Sequence, residues 1–547
     1  MNLLASKNRH ALLKQLAEET FDLVLIGGGI TGAGIALDAV SRGLKVALVE
    51  KQDFAQGTSS RSTKLIHGGL RYLKQGDLKL VKEVGSERAI VHKNAPHLVI
   101  PEKMLLPLIE GGTYGKMATS FGLKVYDVLA GVKGDDRRKM LSKEQTQQKE
   151  PLLNPDTLKG GGYYAEYRTD DARLTMGIIK TANEYGALCA NHCEAIKLLY
   201  NEGGITGVQV KDHIQDKVME IHARQVVNAT GPWVDTIRQE DNSLKGKRLH
   251  LTKGVHLVVS HQKFPLKQSL YFDVPDGRMI FAIPRGKITY IGTTDTNYQG
   301  KLEEPQTTLE DATYLLDSIN QTFPSVNLTM DDVESSWAGL RPLIHQDGKS
   351  PSELSRRDEI FESGSGLISI AGGKLTGYRK MSQRVVDLVS RKMKRSNKCK
   401  TKDITIKGGN FESHQAVKVY IGQVGQQLQS EKLDDFVAEY LVGNYGTQTD
   451  EVLQKYQQVK IENPENSPFL NLALAELYFC LENEAIFTLE DFFNRRTGRL
   501  YFDIQSVKDL VEPIAQEMQI QLGWTEAILQ KNRVNLQQLM GTLETFA

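Results

Sequence analysis

The sequence has little cysteine, no long apolar run and almost no net charge. Four cysteines in 547 residues are too few for a disulfide framework, which predicts a reducing compartment. Nowhere do 18 apolar residues follow one another, and residues 1–20 lack the apolar core and small-residue cleavage site of an export signal. We therefore expect a cytoplasmic protein that neither spans a membrane nor is exported.

The charges nearly cancel, because 68 Lys and Arg stand against 67 Asp and Glu and leave a net charge of +1. No global field then favours nucleic acid or an acidic partner, so we expect no nucleic-acid binding, and any anion site must be local. A basic stretch at residues 391–403 holds seven Lys or Arg without interleaved aromatic residues. It is more simply a solvated linker than a nucleic-acid patch.

The chain is long enough for two or three structural units, and 40% hydrophobic residues supply an ample core. Strand-like runs alternate with helical stretches, which indicates an α/β chain; they lie at residues 205–210, 219–227, 255–260, 278–283, 287–292 and 366–371. Beyond residue 405, Leu and aromatic residues return at helical spacing. Residues 405–547 are therefore predicted to form a helical C-terminal domain.

Residues 1–20 are predicted to form an amphipathic helix. Leu12, Leu13 and Leu16 fall on one side, and basic residues such as Lys7 and Lys14 are available to the other. Such a helix either packs on its own domain or contacts a membrane surface. Both alternatives stay open at this point.

A glycine-rich turn follows the first strand-like run, residues 21–26, and opens a predicted helix. In the pattern Gly27-x-Gly29-x-x-Gly32, Gly27 permits the tight turn, Gly29 lets the backbone approach a pyrophosphate, and Gly32 lets helix and strand pack closely. The helix N-terminus presents amide groups to the phosphates. Glu50 ends the next strand, where its carboxylate accepts from ribose hydroxyls and disfavours NADP. The pattern predicts dinucleotide binding without separating FAD from NAD.

Two further segments bear on that choice. Residues 226–235, VVNATGPWVD, run from a strand into a small-residue turn, and residues 370–379, IAGGKLTGYR, end a strand at a glycine pair before a helix. Each resembles a segment of flavoproteins with the glutathione-reductase-like fold, the first lying near the FAD and the second closing over the flavin. Either one alone is equally typical of an ordinary strand-to-helix turn.

A longer set of motifs is more specific. Residues 58–72 read TSSRSTKLIHGGLRY, residues 337–343 read WAGLRPL, Arg357 precedes Asp358, and residues 372–379 read GGKLTGYR. With the glycine turn, this set resembles the FAD-dependent glycerol-3-phosphate dehydrogenases, respiratory enzymes called aerobic in bacteria. The resemblance covers about residues 20–390 and continues more loosely beyond. It implies FAD as cofactor, oxidation of sn-glycerol 3-phosphate to dihydroxyacetone phosphate, and electron transfer to a quinone through peripheral contact with the inner face of the cell membrane.

The resemblance also implies an α/β fold of three parts. These are a glutathione-reductase-like, Rossmann-type FAD-binding domain of residues 21–105, 160–240 and 340–395, a mixed-sheet substrate domain of residues 106–159 and 241–339, and the all-helical C-terminal domain. The sequence departs from the family pattern at small residues, such as Thr31 in the glycine turn and Gly377 in the closing motif. Neither replaces a charged or titratable group, so the expected chemistry is unaffected.

The expected substrate is a compact dianion, for which Arg supplies a planar bidentate fork. By resemblance Arg341 and Arg357 bind the phosphate, and Arg71 and Lys374 line the pocket that faces the flavin. Tyr72 is expected beside Arg71 as a further substrate contact. Oxidation of the alcohol also requires removal of the hydroxyl proton.

Two histidines lie in or near the motifs and suit a base near neutral pH. We expect His67 to be the base and His256 a substrate contact, with Lys374 or Arg341 stabilising the developing alkoxide. The residues expected to bind the cofactor are Gly27, Gly29, Thr31, Gly32, Glu50, Thr58, Ser59, Ser60, Ser62, Lys64, Gly68, Gly69, Ala229, Thr230, Gly231, Gly373, Lys374, Leu375 and Thr376.

Three other interpretations compete with this one. A glycerol-3-phosphate oxidase, which passes electrons to oxygen, shares the same motifs, although the sequence shows no long additional segment of the kind such oxidases carry. An enzyme of related fold acting on an amino or hydroxy acid fits the motif set less well. A flavin-binding membrane-surface module without turnover would explain the amphipathic start and the basic stretch.

The sequence gives no support for a metal site. Cys189-Ala-Asn-His-Cys193 offers thiolate and imidazole ligands, but no second cluster supplies a fourth ligand. We therefore expect no metal. The oligomeric state is left open, a homodimer included.

Overall fold

The computed structural model describes residues 1–66, 78–112, 137–274, 276–345 and 357–546. Within these ranges the chain forms two β-sheets, helices that cover them, and a helical C-terminal region. The predicted α/β architecture is thereby confirmed.

The first sheet carries the glycine-rich turn. Its strands are Thr20–Ile26, Val46–Val49, Leu188–Ala190, Cys193–Asn201, Gly204–Asp212, Lys217–Asn228, Asp358–Glu362 and Ile368–Gly372. Thr20–Ile26 lies inside the sheet, parallel to Val46–Val49 on one side and to Lys217–Asn228 on the other. Leu23 and Leu25 are fully buried, as expected for a parallel strand covered on both faces. The carboxyl ends of these strands meet at one edge, where the turn begins.

Helices pack closely beside that edge. Ile30–Ser41 lies between Tyr378–Lys392 and Asp171–Glu184, while Leu78–Asn94 and Val234–Glu240 complete this part of the chain. A Cβ built at Gly34 would lie 2.8 Å from the ring of Tyr378, so glycine is what allows Ile30–Ser41 and Tyr378–Lys392 to approach.

The second sheet is mixed. Its strands are Ile100–Ile109, Lys139–Leu141, Leu158–Arg168, Leu249–Ser260, Ser269–Asp273, Met279–Arg285, Ile288–Gly292, Thr296–Asn297 and Val333–Ile344, with helices Lys143–Lys149 and Leu309–Thr322 beside them. Ser269–Asp273 runs parallel to Ile100–Ile109. Leu249–Ser260 pairs antiparallel with Val333–Ile344, which sets His256 opposite Trp337 and Thr252 opposite Arg341.

The C-terminal region is helical, as predicted. Its helices are His414–Leu428, Phe436–Tyr445, Thr449–Glu462, Pro468–Asn483, Arg499–Phe502, Ile504–Leu522 and Glu526–Glu544, with a π-helical turn at Asp491–Arg496. Buried ion pairs join it to the rest of the chain. Arg173 donates to both carboxylate oxygens of Glu484, at 2.6 and 3.0 Å, and Lys180 lies 2.8 Å from the same carboxylate. Arg495 and Arg496 reach Asp53 at 2.5 and 2.7 Å.

The N-terminal helix runs from Arg9 to Glu18, inside the predicted range. Leu12, Leu13 and Leu16 are buried in the core of the first sheet, and Arg9 forms a buried ion pair with Asp212 at 2.5 Å. Its apolar side is therefore covered by its own domain and is not available to a membrane. Nor does any helix within the described ranges have the length and apolar character needed to cross a bilayer.

The expected domain boundaries cut through strands of the second sheet. Ile100–Ile109 and Leu158–Arg168 both belong to it, although boundaries were expected at residues 105 and 160. Val333–Ile344 likewise extends past the boundary expected at residue 340. Hydrophobic periodicity identifies a strand but carries no information about the sheet it joins, which explains the difference.

Candidate active site

A cavity of about 550 Å³ opens at the carboxyl edge of the first sheet and extends to the second sheet. The expected site residues that line it are Gly27, Gly29, Thr31, Glu50, Thr58, Ser59, Ser62, Ala229, Thr230, Gly231, His256, Arg341, Gly373, Lys374, Leu375 and Thr376. Motifs up to about 350 residues apart in sequence therefore share one concave site, the usual setting of a ligand in an open α/β sheet.

Other expected residues are not among those lining the cavity. In the part of the chain that the structure describes, these are Gly32, Ser60, Lys64 and Arg357. His67, Gly68, Gly69, Arg71 and Tyr72 fall outside the described residues, and their expected roles stay predictions.

The glycine turn at one end of the cavity has no room for side chains. Gly27 has a φ of +111°, and a Cβ on it would lie 2.7 Å from the carbonyl oxygen of Ala229. A Cβ on Gly32 would lie 1.9 Å from the carbonyl oxygen of Gly27. Gly32 therefore lets the helix start directly against the turn, as its place in the motif predicts.

The helix that follows begins at Ile30 with Gly29 as its N-cap. The amide of Ile30 donates to Oγ of Ser59 at 2.9 Å, which ties the residue 58–64 segment to the helix start. Glu50 accepts from the amides of Gly28 and Gln52 at 2.7 and 3.0 Å. Burial raises the pKa of its carboxyl, and these two amide donors act against that rise.

The segment of residues 58–64 contacts the second sheet and helix Asp171–Glu184. Oγ1 of Thr58 donates to the carbonyl of Leu340 at 2.7 Å, and Oγ of Ser62 donates to Asp171 at 2.6 Å. Lys64 was expected beside the cofactor, but its Nζ lies 2.5 Å from Asp171 and its side chain is only 2% exposed. Its role here is to anchor the segment to helix Asp171–Glu184.

His256 lines the cavity from strand Leu249–Ser260 of the second sheet, and its side chain is buried. Its ring stacks on Trp337 at 4.8 Å with 13° between the planes, and its Nε2 is 2.9 Å from Oγ1 of Thr63. Burial, with the positive charges of Arg341 and Lys64, holds the pKa of His256 well below its usual range. The ring is therefore neutral near pH 7.

Arg341 lines the cavity with its fork already oriented. Its Nη1 donates to Asp295 at 2.9 Å and to the carbonyl of Thr294 at 3.0 Å, and its Nη2 donates to Oγ1 of Thr293 at 2.9 Å. A Cβ at Gly254 would lie 2.4 Å from Nη2, so glycine on the neighbouring strand makes room for the guanidinium.

Lys374 and Arg357 differ in their relation to the cavity. Lys374 lines the cavity as the N-cap of a short helical turn, Leu375–Gly377. The side chain of Arg357 is exposed, while its carbonyl oxygen would lie 2.7 Å from a Cβ on Gly372. Arg357 is thus adjacent to the cavity wall through its backbone.

Sequence reasoning missed several lining residues. Trp233 belongs to the recognised segment 226–235, and its ring lies 4.3 Å from Nζ of Lys51. Gly339 belongs to the WAGLRPL motif, and a Cβ there would lie 2.3 Å from the carbonyl oxygen of Arg61. Both positions were inside motifs, which was a usable signal. Thr63 likewise lies inside the recognised segment 58–72. Gly254, which lines the cavity, and Thr293, which accepts from Arg341, act through long-range contacts that no local pattern reveals.

Comparison with known proteins agrees with this site. Residues 22–379 match the family model described as FAD dependent oxidoreductase, and residues 399–528 match the C-terminal domain of alpha-glycerophosphate oxidase. The aerobic glycerol-3-phosphate dehydrogenase of Bacillus subtilis is 51% identical over 98% of this chain and 97% of its own.

The chain belongs to the aerobic glycerol-3-phosphate dehydrogenase family. Among solved structures of such enzymes, the glycerol-3-phosphate dehydrogenase from Bacillus halodurans complexed with FAD has a TM-score of 0.85 and 43% identity over 99% of each chain. The L-alpha-glycerophosphate oxidase from Mycoplasma pneumoniae shares the fold alone, with a TM-score of 0.56 and 18% identity over 70% of this chain and 97% of its own.

FAD is the cofactor of this aerobic glycerol-3-phosphate dehydrogenase family member, and the residues present fit it. The glycine turn would let the pyrophosphate approach the backbone, the start of helix Ile30–Ser41 would favour its negative charge, and the Glu50 carboxylate would accept from a ribose. The closing motif at Gly373 and Lys374 lines the same cavity.

Proposed function

We propose that this protein oxidises sn-glycerol 3-phosphate to dihydroxyacetone phosphate and passes the electrons to a quinone. The observation that carries the proposal is the single cavity that joins the nucleotide-binding turn to Arg341, Lys374 and His256. FAD supplies the redox chemistry when bound, accepting the hydride from the second carbon of the substrate. The protein supplies phosphate binding, orientation and proton removal.

Arg341 supports the phosphate-binding part of the proposal. Asp295 holds the guanidinium at 2.9 Å, so that the fork is oriented before substrate arrives and less rotamer entropy is lost on binding. Arg357, Arg71 and Lys374 complete the cation set that the family resemblance implies. We expect Arg341→Lys to raise KM for glycerol 3-phosphate more than it lowers kcat, because a point charge replaces a bidentate fork.

Proton removal is assigned to His67, with His256 as a substrate contact. The depressed pKa of His256 supports this order, because an efficient general base has a pKa near the working pH. A neutral His256 donates or accepts one hydrogen bond at the substrate, and Lys374 or Arg341 stabilises the developing alkoxide.

We expect His67→Asn to lower turnover by about 10²- to 10⁴-fold with little change in phosphate affinity, and His256→Asn to lower it less. Steady-state kinetics with glycerol 3-phosphate measure turnover, and binding of dihydroxyacetone phosphate measures phosphate affinity, so the two effects are separated. Unchanged turnover in His67→Asn would remove this residue from the role of base.

The decisive test of the function is an anaerobic titration of the oxidised holoenzyme with sn-glycerol 3-phosphate. Loss of the yellow flavin absorbance at stoichiometric substrate supports a dehydrogenase of this specificity. A flavin that stays oxidised would instead support the alternative of a flavin-binding membrane-surface module without turnover. Glycerol and sn-glycerol 1-phosphate serve as controls for the phosphate and for the configuration at the second carbon.

The oxidase alternative has one observation in its favour, the match of residues 399–528 to the C-terminal domain of alpha-glycerophosphate oxidase. An oxidase would consume oxygen and release hydrogen peroxide at a rate close to turnover. We expect slow oxygen uptake and fast reduction of a quinone analogue. An oxygen electrode, with and without the analogue, distinguishes the two.

A quinone acceptor is dissolved in the membrane, so we also propose peripheral contact with its inner face. The N-terminal helix is buried and cannot make this contact, so we assign it to a basic groove. The groove includes Lys380, Arg391, Arg395, Lys398 and Lys402, and Asp387 is the acidic residue among its described lining. Each basic side chain near an anionic surface contributes about 1 kcal/mol, and salt screens that attraction. Sedimentation with anionic vesicles should therefore occur at low salt and fail at high salt.

A further inference from the structure

A second cavity, of about 380 Å³, lies between the second sheet and the helical C-terminal region. Helix Phe436–Tyr445 forms one wall, and Phe502 lies on the side towards the second sheet. Its apolar lining is rich in rings, including Phe436, Tyr440, Phe469 and Phe502. Cavities of this size that are lined by aromatic side chains at a domain boundary are typical ligand sites.

The charges that line this cavity nearly cancel. Five cationic residues and four acidic residues line it within the described part of the chain. Four of the five cations form ion pairs; Arg285 lies 3.0 Å from Asp170, for example, and Arg499 lies 2.7 Å from Glu476. A site of this kind does not select an anion, and it favours a neutral ligand with a flat, apolar body.

Three residues of the lining carry buried N–H groups that lack an acceptor within the described ranges. These are Nη1 of Arg285, Nδ2 of Asn444 and Nε of Arg499. Buried donors are almost always paired in folded proteins, so each calls for an acceptor. These donors lie within the wall, so the polar groups around the cavity suit a ligand that carries acceptors such as carbonyl oxygens.

A continuous set of rings joins the two cavities. His256 lines the first cavity and stacks on Trp337 at 4.8 Å, and Trp337 lies 5.9 Å from Phe502, which lines the second. A path of three rings, His256, Trp337 and Phe502, therefore connects the walls of the two cavities.

We propose that the second cavity binds the quinone that accepts the electrons. The inference rests on the proposed function and gives the acceptor its own site. Glycerol 3-phosphate loses two electrons and two protons as it becomes dihydroxyacetone phosphate. The quinone gains two electrons, and each of its carbonyl oxygens takes one proton, so that it leaves as a quinol and the cofactor returns to its starting state.

Gly443 offers a clean way to fill the cavity. It lies in helix Phe436–Tyr445 on the cavity wall, and a Cβ built on it meets no heavy atom within 4 Å. Gly443→Phe therefore places a ring in open space, and replacement of a helical glycine favours the helix. Gly422 in helix His414–Leu428 has the same open surroundings but lies outside the lining, so Gly422→Phe is the matched control.

The test uses menadione, a quinone without a long tail, and the full-length holoenzyme. Equilibrium dialysis measures menadione binding to the oxidised protein. Anaerobic glycerol 3-phosphate then bleaches the flavin, and reoxidation is followed with menadione or with ferricyanide, a small hydrophilic oxidant. We expect Gly443→Phe to weaken menadione binding and to slow menadione reoxidation at least about tenfold, with bleaching and ferricyanide reoxidation within about twofold of the parent.

Gly443→Ala should give a smaller loss in both menadione binding and menadione reoxidation. If Gly443→Phe fails to fold, Gly443→Ala is the variant that tests the site. Gly422→Phe should match the parent protein throughout. Parent-like binding and reoxidation in both Gly443 variants would overturn the proposal, as would absence of menadione binding to the parent. Failure of the parent flavin to bleach would instead count against the proposed substrate, while dialysis still tests the cavity.

Discussion

Two regions of the molecule differ in the kind of residue that forms them. One is the nucleotide end of the first cavity, and the other is the contact between the C-terminal helices and the rest of the chain. The first consists of glycines, amides and small hydroxyls that belong to two short motifs, with Gly27 and Gly32 in one and Ser59 in the other. The second consists of buried charges far apart in sequence, such as Arg173 with Glu484. A site made of local backbone geometry can be recognised from a motif, whereas one made of distant charges cannot.

The largest effect is expected where backbone approach is closest. Gly32→Ala would put a Cβ 1.9 Å from the carbonyl oxygen of Gly27, so the turn and the helix start must separate. We expect bound FAD to fall at least about tenfold, the equivalent of about 1.4 kcal/mol or more, or the protein to misfold. The flavin-to-protein absorbance ratio after purification measures this. Gly422→Ala, at an open helical position, should retain full FAD.

Glu484→Gln tests the charged contact. The substitution leaves Arg173 and Lys180 buried with one neutral partner in place of a carboxylate. Loss of one member of a buried pair costs about 3–5 kcal/mol, which should appear in the free energy of unfolding in urea. Glu482→Gln is the control, because Glu482 is 53% exposed beside Lys455 and should cost about 0–1 kcal/mol. Equal losses in both variants would contradict the distinction between them.

The pH dependence of the free energy of unfolding tests the same contact between Glu484, Arg173 and Lys180. Arg173 and Lys180 hold the pKa of Glu484 well below its ordinary value of about 4.3, against the opposing effect of burial. A depressed folded-state pKa contributes stability that is complete above the unfolded-state pKa and is lost as pH falls below it. The stability difference between the parent and Glu484→Gln should therefore be constant from about pH 8 to 5 and shrink below about pH 4. Denaturant titrations at several pH values check this.

Much of the fold and of the nucleotide end of the site was predictable, because strand periodicity, the glycine spacing and Glu50 are local properties. The motif residues Thr58, Thr230, Arg341 and Lys374, far apart in sequence, share one cavity as the family resemblance implied. Cofactor and family were also predictable, since the motifs that carried them are long and ordered.

Other features of the fold and the site depend on contacts between residues far apart in sequence, which no local pattern predicts. Lys64 was expected beside the cofactor because it lies within a family motif, yet its partner Asp171 is 107 residues away. Leu12 and Leu16 showed an apolar helix side, but only the structure shows that the first sheet covers it. The second cavity arises between Gly443 and Phe502 and has no counterpart in any single segment.

Helix Asp171–Glu184 links both regions of this comparison. Asp171 at its start forms an ion pair with Lys64 of the segment of residues 58–64. Arg173 and Lys180 form ion pairs with Glu484 of the C-terminal region. The gap between the two matched family models, residues 380–398, is therefore a poor place to shorten the protein for expression. A fragment that stops there would lack Glu484 and leave Arg173 and Lys180 without it, on the helix that also holds the segment of residues 58–64.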